Sequence, residues 1–572
     1  MKILGINGWK DWFHDPSACL IIDGQLSALV EEERFTRVKH APLTVPAFAT
    51  QWCLQSGGID WEDLDYIAVG WNLPYFGKLV TPKMGTADFA KKLLIDLHAP
   101  KLFPLEKIIF LDHHLAHAYS GIVLEPFRQS LVLVVDGQGE KKSISIFRHT
   151  SDCLKKLAEF DARYSLGYYY EAATSYVGFG LKGTGKFMGL SSYGKSVIDY
   201  WNSSNTKEFS SPAALEQMGI DYENLDDAIS IVDNFWIPRF KDSFPLLQIT
   251  EANTKAHQEV DFAKRDKLHL YPDAVDFSAS VQQSLEKVME SLVCTHLSQK
   301  DEAIIIAGGV GLNCKNNGFL ARRFPNQKVV VQPLSHDAGV ALGAASYIAK
   351  QNGFNHIGLG TFPYVGPSFT NEDIKEVLQS QNIHFEYLER PELVAAKQLA
   401  DNKVIGWFQG KAEVGPRALG ARSILARPDS IKVRDRVNQQ IKLREIWRPF
   451  SPVVLEEFSQ IYFENCKESM FMLFGFPIKC NESKKLFAGT IHVDNTSRVQ
   501  TLHEGKTPKL FLELVREFYS LTGIPGLMNT SFNGHKEPIV NTPKDAVNTF
   551  LETNLDALYI GNYVVYSGDL DS

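Results

Sequence analysis

An apolar strand, a turn that contains Asp-Gly and a second strand follow one another twice in the N-terminal half of the sequence. The copies occupy residues 17–31 and 130–148, with turns at Asp23-Gly24 and Asp136-Gly137, and a further strand at residues 2–7 opens the chain. Asp-Gly pairs favour the tight turns that join antiparallel strands. Because a repeated pattern indicates a repeated structural unit, the sequence predicts two related halves.

Glycine-rich turns follow two more apolar strands farther along the chain. Residues 303–307 lead into a Gly-Gly-Val-Gly turn that ends near Asn313, and residues 328–332 lead into a turn that carries Asp337 and then a helix of small residues. Glycine lets a backbone approach a ligand closely at such turns. Strand, glycine turn and helix in alternation, with a hairpin at the start of each half, resemble the actin-like nucleotide-binding architecture of sugar kinases. The predicted fold class is therefore α/β.

The chain is long enough for at least two domains, because its 572 residues exceed the usual size of one compact core. Residues 353–368 are rich in Gly and Pro and lack helical periodicity, which is typical of a linker. The pattern restarts after it with a predicted helix at residues 371–380 and a predicted strand at residues 402–408. We therefore predict an N-terminal domain at residues 1–355 and a second α/β domain at residues 370–572.

Composition and charge exclude several classes of protein. The formal net charge of −8 gives no basic surface for a phosphate backbone, so no nucleic-acid partner is expected. No apolar run reaches the length of a membrane span, and the first residues lack the pattern of a secretory signal. The seven cysteines are scattered and never form a C-x-x-C pair, which fits reduced thiols. The expected location is cytoplasmic, with no membrane partner.

A candidate metal site begins with His113 and His117, which stand four residues apart and share one face if the segment is helical. No glutamate follows the first histidine, so the protease version of this motif is disfavoured. Asp136 and Asp337 follow apolar strands and are the best carboxylate partners. Imidazole and carboxylate together suit Fe(II), Mn(II) or Zn(II). The alternative is capping or solvated histidines and aspartates that only form turns.

Arginines in Gly- and Pro-containing segments mark a second candidate site. They are Arg417, Arg422, Arg448 and Arg498. A guanidinium group binds phosphate through two hydrogen bonds and keeps its charge when partly buried. The alternative for each is a surface ion pair. Residues 528–533 add the short polar side chains of Asn529 and Ser531, which suit an oxyanion or a turn.

Taken together and in this order, the segments resemble the O-carbamoyltransferases of antibiotic biosynthesis, the family that includes the nodulation carbamoyltransferases and the tobramycin carbamoyltransferase. The resemblance covers nearly the whole chain and is carried by residues 5–9, 14–18, 31–37, 112–118, 134–139, 186–194, 307–313, 337–344, 415–423, 444–452, 492–500 and 528–540. It implies an actin-like N-terminal domain like the tRNA threonylcarbamoyl transferase. It also implies a C-terminal α/β domain like the threonylcarbamoyl-adenylate synthase.

The resemblance implies two active sites. The C-terminal site would bind Mg²⁺, ATP and carbamoyl phosphate and form carbamoyl-adenylate, through Arg417, Arg448, Arg498, Asn529 and Ser531. The N-terminal site would hold an iron-type ion, most simply Fe(II), through His113, His117, Asp136 and Asp337. There the adenylate would contact Asp136, Gly167, Gly309 and Asn313. His14 would remove the proton of the acceptor hydroxyl, a task that suits imidazole, and Lys39 would line the acceptor pocket.

The expected function is therefore transfer of a carbamoyl group to a hydroxyl of a small molecule, such as an antibiotic or toxin. The alternatives are a tRNA-modifying transferase, which the acidic balance disfavours, a non-catalytic protein of actin-like fold, and a sugar kinase. Residues 200–264, where acceptor contacts are expected, carry no motif.

Overall fold

The computed structural model describes residues 1–10, 14–75, 84–100, 103–151, 153–201, 231–244 and 261–569. The chain forms two compact units, of which the first comprises Met1–Ser27 and Leu43–Gly358 and the second comprises Ala28–Pro42 and Leu359–Ser572. The main division thus falls inside the predicted linker. The assignment of Ala28–Pro42 to the second unit has no counterpart in the predicted bounds of 1–355 and 370–572.

The first unit contains two five-stranded sheets of the same design, apart from residues 28–31 of the edge strand β3, which are grouped with the second unit. Their strands are β1 Lys2–Asn7, β2 Ser17–Ile22, β3 Gln25–Glu31, β4 Tyr66–Val69 and β5 Ile108–Phe110, then β6 Gln129–Val135, β7 Lys142–Thr150, β8 Leu154–Asp161, β9 Ala303–Ala307 and β10 Lys328–Val331. The orders are β3-β2-β1-β4-β5 and β8-β7-β6-β9-β10. In each sheet the first strand pairs antiparallel with the second and parallel with the fourth. The duplicated, actin-like α/β architecture predicted from the sequence is confirmed.

Helices connect and cover these strands. The longer ones are Ala47–Gly57, Thr86–Asp96, His113–Ile122, Leu166–Tyr176, Pro272–His296, Cys314–Arg323 and Val340–Gln351. The shorter ones are Thr184–Leu190, Ile237–Ser243 and Phe262–Arg265. His113–Ile122 follows β5 and Val340–Gln351 follows β10, so the two helices occupy equivalent places in the two halves. They pack closely because a Cβ on Gly343 would lie 1.8 Å from the carbonyl oxygen of Ala116, and glycine removes that clash.

The second unit is built around one mixed sheet of eight strands in the order β11-β20-β19-β12-β13-β18-β14-β17. Its strands are β11 Glu386–Tyr387, β12 Ile405–Phe408, β13 Arg422–Ala426, β14 Ser451–Leu455, β17 Gln500–Leu502, β18 Gly526–Ser531, β19 Ala557–Ile560 and β20 Tyr563–Tyr566, and β15 Phe476–Pro477 pairs separately with β16 Thr496–Ser497. The helices are Glu33–Thr36, Asn371–Ser380, Pro391–Ala400, Ile431–Arg436, Glu456–Tyr462, Asn481–Leu486, Lys509–Thr522 and Pro543–Leu551. The predicted helix at 371–380, the strand at 402–408 and the α/β class are confirmed.

Apolar residues cover both faces of this sheet. Trp407 and Phe408 are successive residues of β12 and belong to different buried clusters, because side chains alternate between the faces of a strand. The cluster with Trp407 is covered by Pro391–Ala400 and Lys509–Thr522, and the cluster with Phe408 by Asn371–Ser380 and Pro543–Leu551. The sheet is therefore a rigid platform for the loops at its ends. Among the described helices of the chain, none is long and apolar enough to cross a membrane.

Candidate functional site

Four predicted metal ligands come together in the first unit. His113 and His117 lie on one face of the helix that follows β5, Asp136 follows β6, and Asp337 lies in the turn before Val340–Gln351. At most 8 % of any of these residues is exposed. The ends of both sheets thus contribute to one buried group, and we call these four residues the ligand set.

Distances within the ligand set fit a single ion. The two Nε2 atoms of His113 and His117 are 3.1 Å apart. His113 Nε2 lies 3.6 Å from both Asp136 Oδ2 and Asp337 Oδ1, and His117 Nε2 lies 3.7 and 3.6 Å from the same two oxygens. Ligand atoms held about 2.0–2.2 Å from one ion are themselves separated by roughly 3–3.6 Å. The donor atoms and their spacing therefore suit a divalent transition-metal ion.

The surrounding groups orient the ligands. His113 Nδ1 donates to the carbonyl oxygen of Gly70 at 3.0 Å, which leaves Nε2 for the centre of the set. The indole of Trp71 stacks on the same ring with 3.6 Å between ring centroids. Asp136 Oδ1 accepts from the backbone N–H of Gly309 at 2.8 Å, so its Oδ2 is the atom that faces the histidines.

Electrostatics favour ionised carboxylates in this set. Burial by itself raises the pKa of a carboxyl group, but the neighbouring histidines outweigh it and hold the pKa of Asp337 well below its usual range and that of Asp136 below its usual value. Burial lowers the pKa of His117, and the charge of His113 lowers it further. Burial also lowers the pKa of His113, but the charges and hydrogen bonds of Asp337 and Asp136 outweigh it and raise that pKa to about 10. Metal binds the neutral imidazole, so binding at this set must displace a proton from His113.

The predicted base, His14, has a carboxylate partner. Its Nδ1 lies 2.7 Å from Asp15 Oδ2, and 57 % of its side chain is exposed. Desolvation of the ring lowers the pKa, but the hydrogen bond and the charge of Asp15 outweigh it and raise the pKa of His14 to about 10. Because more than half of the side chain is open to solvent, the contact with Asp15 determines that the pKa rises.

A hydrogen-bonded path connects this pair with the ligand set. The backbone of Asp15 has a φ of +54°, a conformation that residues other than glycine rarely adopt. Asn7 Nδ2 donates to the carbonyl oxygen of Asp15 at 2.9 Å, and Trp71 Nε1 donates to Asn7 Oδ1 at 2.9 Å. Because Trp71 also stacks on His113, the base and a metal ligand share supporting residues.

Glu171 was missed by the sequence analysis. It lies on the helix Leu166–Tyr176, where burial raises its pKa to about 7 and the charges of His14 and Asp136 act on it. An isolated glutamate in a helix carries no sequence signal that distinguishes it from a surface residue. The segment predicted to carry acceptor contacts, residues 200–264, lies largely outside the described residues.

Two of the predicted adenylate contacts have structural roles as well. A Cβ on Gly167 would lie 2.7 Å from the backbone of Gly137, so a side chain there would displace the turn that follows β6. Asn313 caps the helix Cys314–Arg323 by accepting from the N–H of Asn316 at 3.0 Å, and it donates to Gln282 Oε1 at 2.9 Å. Gln282 in turn lines an open cleft of about 180 Å³ together with Ser191, Gly194, Ser196, Ala279, Gln283, Glu286 and Lys315.

Several positively charged side chains of the second unit act on one another electrostatically. The residues concerned, which we call the basic cluster, are Lys39, Lys442, Arg444, Arg448 and Arg498. Burial lowers the pKa of Lys442 well below its usual value, and the charges of three other members lower it further. Burial also lowers the pKa of Arg444, with Arg448 as the next cause. Guanidinium and ammonium groups grouped in this way are the donors that suit an anion of high charge.

Lys442 fixes the position of β18 relative to this cluster. Its Nζ donates to the carbonyl oxygen of Ser531 at 2.9 Å, and to the carbonyl oxygen and Oδ1 of Asn533 at 3.0 and 2.6 Å. Ser531 Oγ donates to the same Asn533 Oδ1 at 2.6 Å. Lys442, Arg444 and Asn533 were not among the predicted site residues, and the only local signals for them are the spacings Lys-x-Arg and Ser-x-Asn.

The other predicted residues of this site occupy three places. Arg417 lies in the 415–420 loop between β12 and β13, and Asn529 holds that loop by donating to the carbonyl oxygen of Ala418 at 3.1 Å. Arg498 Nε donates to Ser451 Oγ at 2.9 Å. Lys39, predicted to line the acceptor pocket, belongs to the second unit, where its charge acts on Lys442. Its predicted role stays a prediction.

Arg422 has a structural role. Its residue is 0 % exposed, and its guanidinium lies 3.6 Å above the centre of the Phe408 ring. Nη1 and Nη2 donate to the carbonyl oxygens of Pro367, Gln409, Gly410 and Ala421. The anion-binding role considered for Arg422 is therefore wrong, because its donors are used by the backbone.

Comparison with known proteins gives a consistent family. The family model described as "Carbamoyltransferase N-terminus" matches residues 73–346, and "Carbamoyltransferase C-terminus" matches residues 396–567. The nodulation protein NolNO of Sinorhizobium fredii is 35 % identical over 97 % of this chain and 79 % of its own length. The nodulation protein NolO of Bradyrhizobium diazoefficiens is 33 % identical over 80 % of this chain and 78 % of its own.

A relative from antibiotic metabolism is also similar. The 3'-hydroxymethylcephem-O-carbamoyltransferase of Amycolatopsis lactamdurans is 30 % identical over 54 % of this chain and 62 % of its own length. The N-terminal family model matches within the first unit and the C-terminal one within the second, and the similarity to NolNO extends over 97 % of the chain. This chain therefore belongs to the nodulation- and antibiotic-type O-carbamoyltransferase family of transferases.

Proposed function

We propose that this chain uses ATP and carbamoyl phosphate to form carbamoyl-adenylate in the second unit, and transfers the carbamoyl group to a hydroxyl of a small molecule in the first unit. The observation that carries this proposal is the presence of two different charged sites in one member of the family, the ligand set and the basic cluster. A secondary metabolite such as an antibiotic or toxin is the proposed acceptor, and the cytoplasm the proposed location.

In the second unit, the basic cluster would bind the phosphates of ATP with its Mg²⁺. Water hydrolyses carbamoyl phosphate to carbamate and inorganic phosphate, and the carbamate oxygen then attacks the α-phosphorus of ATP while pyrophosphate leaves. The guanidinium groups of Arg448 and Arg498 would stabilise the negative charge that develops on the phosphate oxygens. Lys442 would contribute by holding Ser531 and Asn533 beside this charge.

In the first unit, the ligand set would hold a divalent ion, with Fe(II) proposed and Mn(II) or Zn(II) equally compatible with the donors. Such an ion supplies Lewis-acid stabilisation of the adenylate phosphate. His14 would take the proton of the acceptor hydroxyl at Nε2, because Asp15 engages Nδ1. Since the pKa of His14 is raised, the fraction of His14 able to act as a base rises with pH.

The tRNA-modifying alternative lacks a comparable observation in its favour. A net charge of −8 gives weak attraction for a polyanion, whereas a local basic cluster is sufficient for one nucleotide. Measuring tRNA binding across a range of salt concentrations separates the two functions, and tight, salt-dependent binding would favour the alternative.

The proposal is tested by incubating the protein with ATP, Mg²⁺ and carbamoyl phosphate, without an acceptor, and following pyrophosphate. Wild type is expected to release pyrophosphate, and Arg448→Ala is expected to lose that activity because it removes a phosphate-binding cation. Arg516→Ala is the control, since Arg516 forms an exposed ion pair with Glu504 at 2.8 Å. No pyrophosphate from well-folded wild type would contradict the role assigned to the second unit.

A further inference from the structure

We propose that the early segment Ala28–Pro42 positions the 415–420 loop, and with it Arg417, for phosphate binding in the second unit. The inference rests on the function proposed for that unit. Glu31 and Arg34 are the residues that carry it, as positioning residues that act through the loop. The segment precedes the loop by almost 400 residues in the chain, yet both belong to the same compact unit.

Glu31 and Arg34 hold one residue of the loop from both sides of its backbone. The N–H of Gly415 donates to Glu31 Oε1 at 2.8 Å, and Arg34 Nη2 donates to the carbonyl oxygen of Gly415 at 2.7 Å. Arg34 Nη2 also lies 3.3 Å from Glu31 Oε1, which closes the arrangement. Both residues are 4 % exposed, so water does not compete for these bonds.

The loop has a conformation that needs such support. Gly415 has a φ of +95° and Gly420 a φ of +108°, which side chains other than glycine rarely allow. Glu413 Oε1 accepts from the N–H groups of Leu419 and Ala421 at 2.6 and 3.2 Å, and so holds the far end of the loop. Arg417 lies between the two fixed ends, and its backbone position is set by both.

A second contact attaches the same segment to the stretch that follows β18. Arg37 Nη1 and Nη2 donate to the carbonyl oxygens of Ile539 and Pro538 at 2.7 and 3.0 Å, and its Nε lies 3.6 Å from Asp545 Oδ1. These residues follow the Ser531-Phe532-Asn533 stretch that Lys442 holds. The segment therefore spans the distance between the loop and the end of β18.

The donors of Arg34 are directed at protein groups, a carbonyl oxygen and a carboxylate, inside the fold. The negative charges of Glu31, Glu33 and Glu413 surround it. Arg34 thus differs from Arg448, which is assigned to the substrate phosphates, and its effect on activity must pass through the loop.

A double-mutant cycle tests this path. Arg34→Lys keeps the charge but is shorter and lacks the planar guanidinium that reaches both Gly415 and Glu31 through Nη2, so it is expected to lower kcat/KM of pyrophosphate release about tenfold, the size expected for a small misplacement of a binding group. In the background of Arg417→Ala the same change is expected to cost less than about twofold, because residues that act through one another are not additive.

Matched variants separate positioning from general damage. Arg427→Lys is the control, because Arg427 also donates to a carboxylate, Asp429, and to a carbonyl oxygen, that of Ala400, away from the loop. Glu31→Gln keeps an acceptor oxygen for Gly415 and is expected to retain more activity than Glu31→Ala. An equal loss in Arg427→Lys, or a full loss from Arg34→Lys in the Arg417→Ala background, would overturn the proposal.

Hydrogen exchange provides a readout that needs no turnover. Arg34→Lys is expected to accelerate exchange of the amides in residues 415–422, while Arg427→Lys leaves them unchanged. If wild type releases no pyrophosphate, the proposed function fails and exchange alone decides whether the segment fixes the loop. Unchanged exchange in Arg34→Lys would overturn the inference even if the unit forms the adenylate.

Discussion

The ligand set of the first unit and the basic cluster of the second are both groups of charged residues, but only the ligand set is buried throughout, and the charges are arranged in opposite ways. In the ligand set, two carboxylates face two histidines at 3.6–3.7 Å and lower each other's cost of burial. In the basic cluster, burial and then like charges depress the pKa of Lys442 and Arg444. The first group pairs opposite charges, whereas in the second the cations outnumber the neighbouring carboxylates of Glu445 and Glu537.

The largest expected effect concerns the ligand set. Asp337→Asn removes a charged oxygen that lies 3.6 Å from both histidines, and we expect the affinity for divalent metal to fall at least about 100-fold. Elemental analysis after dialysis and titration with Zn²⁺ measure this change. Asp161→Asn, whose carboxylate pairs with Arg163, is the control. Because the ligand set and the basic cluster share no residue, pyrophosphate release should stay within about twofold of wild type, and unchanged metal binding would contradict the assignment.

The basic cluster is tested by Lys442→Met, which removes the Nζ that holds Ser531 and Asn533. Pyrophosphate release is expected to fall roughly 100-fold, as for loss of one donor to a developing charge. ATP should raise the melting temperature of wild type but not of the variant, because a ligand stabilises only the protein that binds it. Equal stabilisation of both proteins by ATP would show that the cluster is not the phosphate site. Bound metal should be unaffected.

The close packing behind the ligand set is tested by Gly343→Ala. The new Cβ would meet the Ala116 carbonyl oxygen at 1.8 Å, so the helices that carry His117 and follow Asp337 must separate. We expect a loss of about 2 kcal/mol in the free energy of unfolding, measured by thermal and denaturant unfolding, with weaker metal binding. Gly185→Ala is the control, since a Cβ added there would have no atom within 4 Å. Equal stability of the two variants would contradict this explanation of the helix contact.

The smallest expected effect concerns His14. Asp15→Asn removes the charge that raises the pKa of this histidine, so the pKa is expected to fall from about 10 towards its ordinary value of 6.5. The pH dependence of diethyl pyrocarbonate modification measures it, because only neutral imidazole reacts. Modification of wild type should become fast only at alkaline pH, and that of the variant near neutrality. His14→Gln identifies the signal, and identical profiles for the first two proteins would exclude Asp15 as the cause.

The ligand set was predictable because its signals are local. A four-residue spacing places two histidines on one helical face, and an aspartate after a buried strand lies at the edge of a sheet where ligands bind. The duplicated hairpins made the two sheets predictable in the same way. Which strand ends meet cannot be predicted from the sequence, because it depends on the packing of the helices His113–Ile122 and Val340–Gln351 at Gly343.

The basic cluster was predicted only in part, because burial of a cation has no signature in sequence. Arg422 and Arg448 occur in similar surroundings in the sequence, yet Arg422 donates to four backbone carbonyl groups and Arg448 acts on the other members of the cluster. Lys442 was not predicted, because a lysine near other charges in the sequence is typical of an exposed surface residue.

The contribution of Ala28–Pro42 to the second unit depends on contacts across almost 400 residues, which no local pattern contains.

The placement of Ala28–Pro42 in the second unit also constrains how the protein is made. On a ribosome this segment emerges early, but its partners at residues 359–572 are synthesised only after residues 43–358. At about 5–20 residues per second, Glu31, Arg34 and Arg37 wait roughly 15 to 60 s before their partners in residues 359–572 begin to be made. During that time these side chains are accessible to chaperones, so the second unit cannot be completed before residues 359–572 have been synthesised.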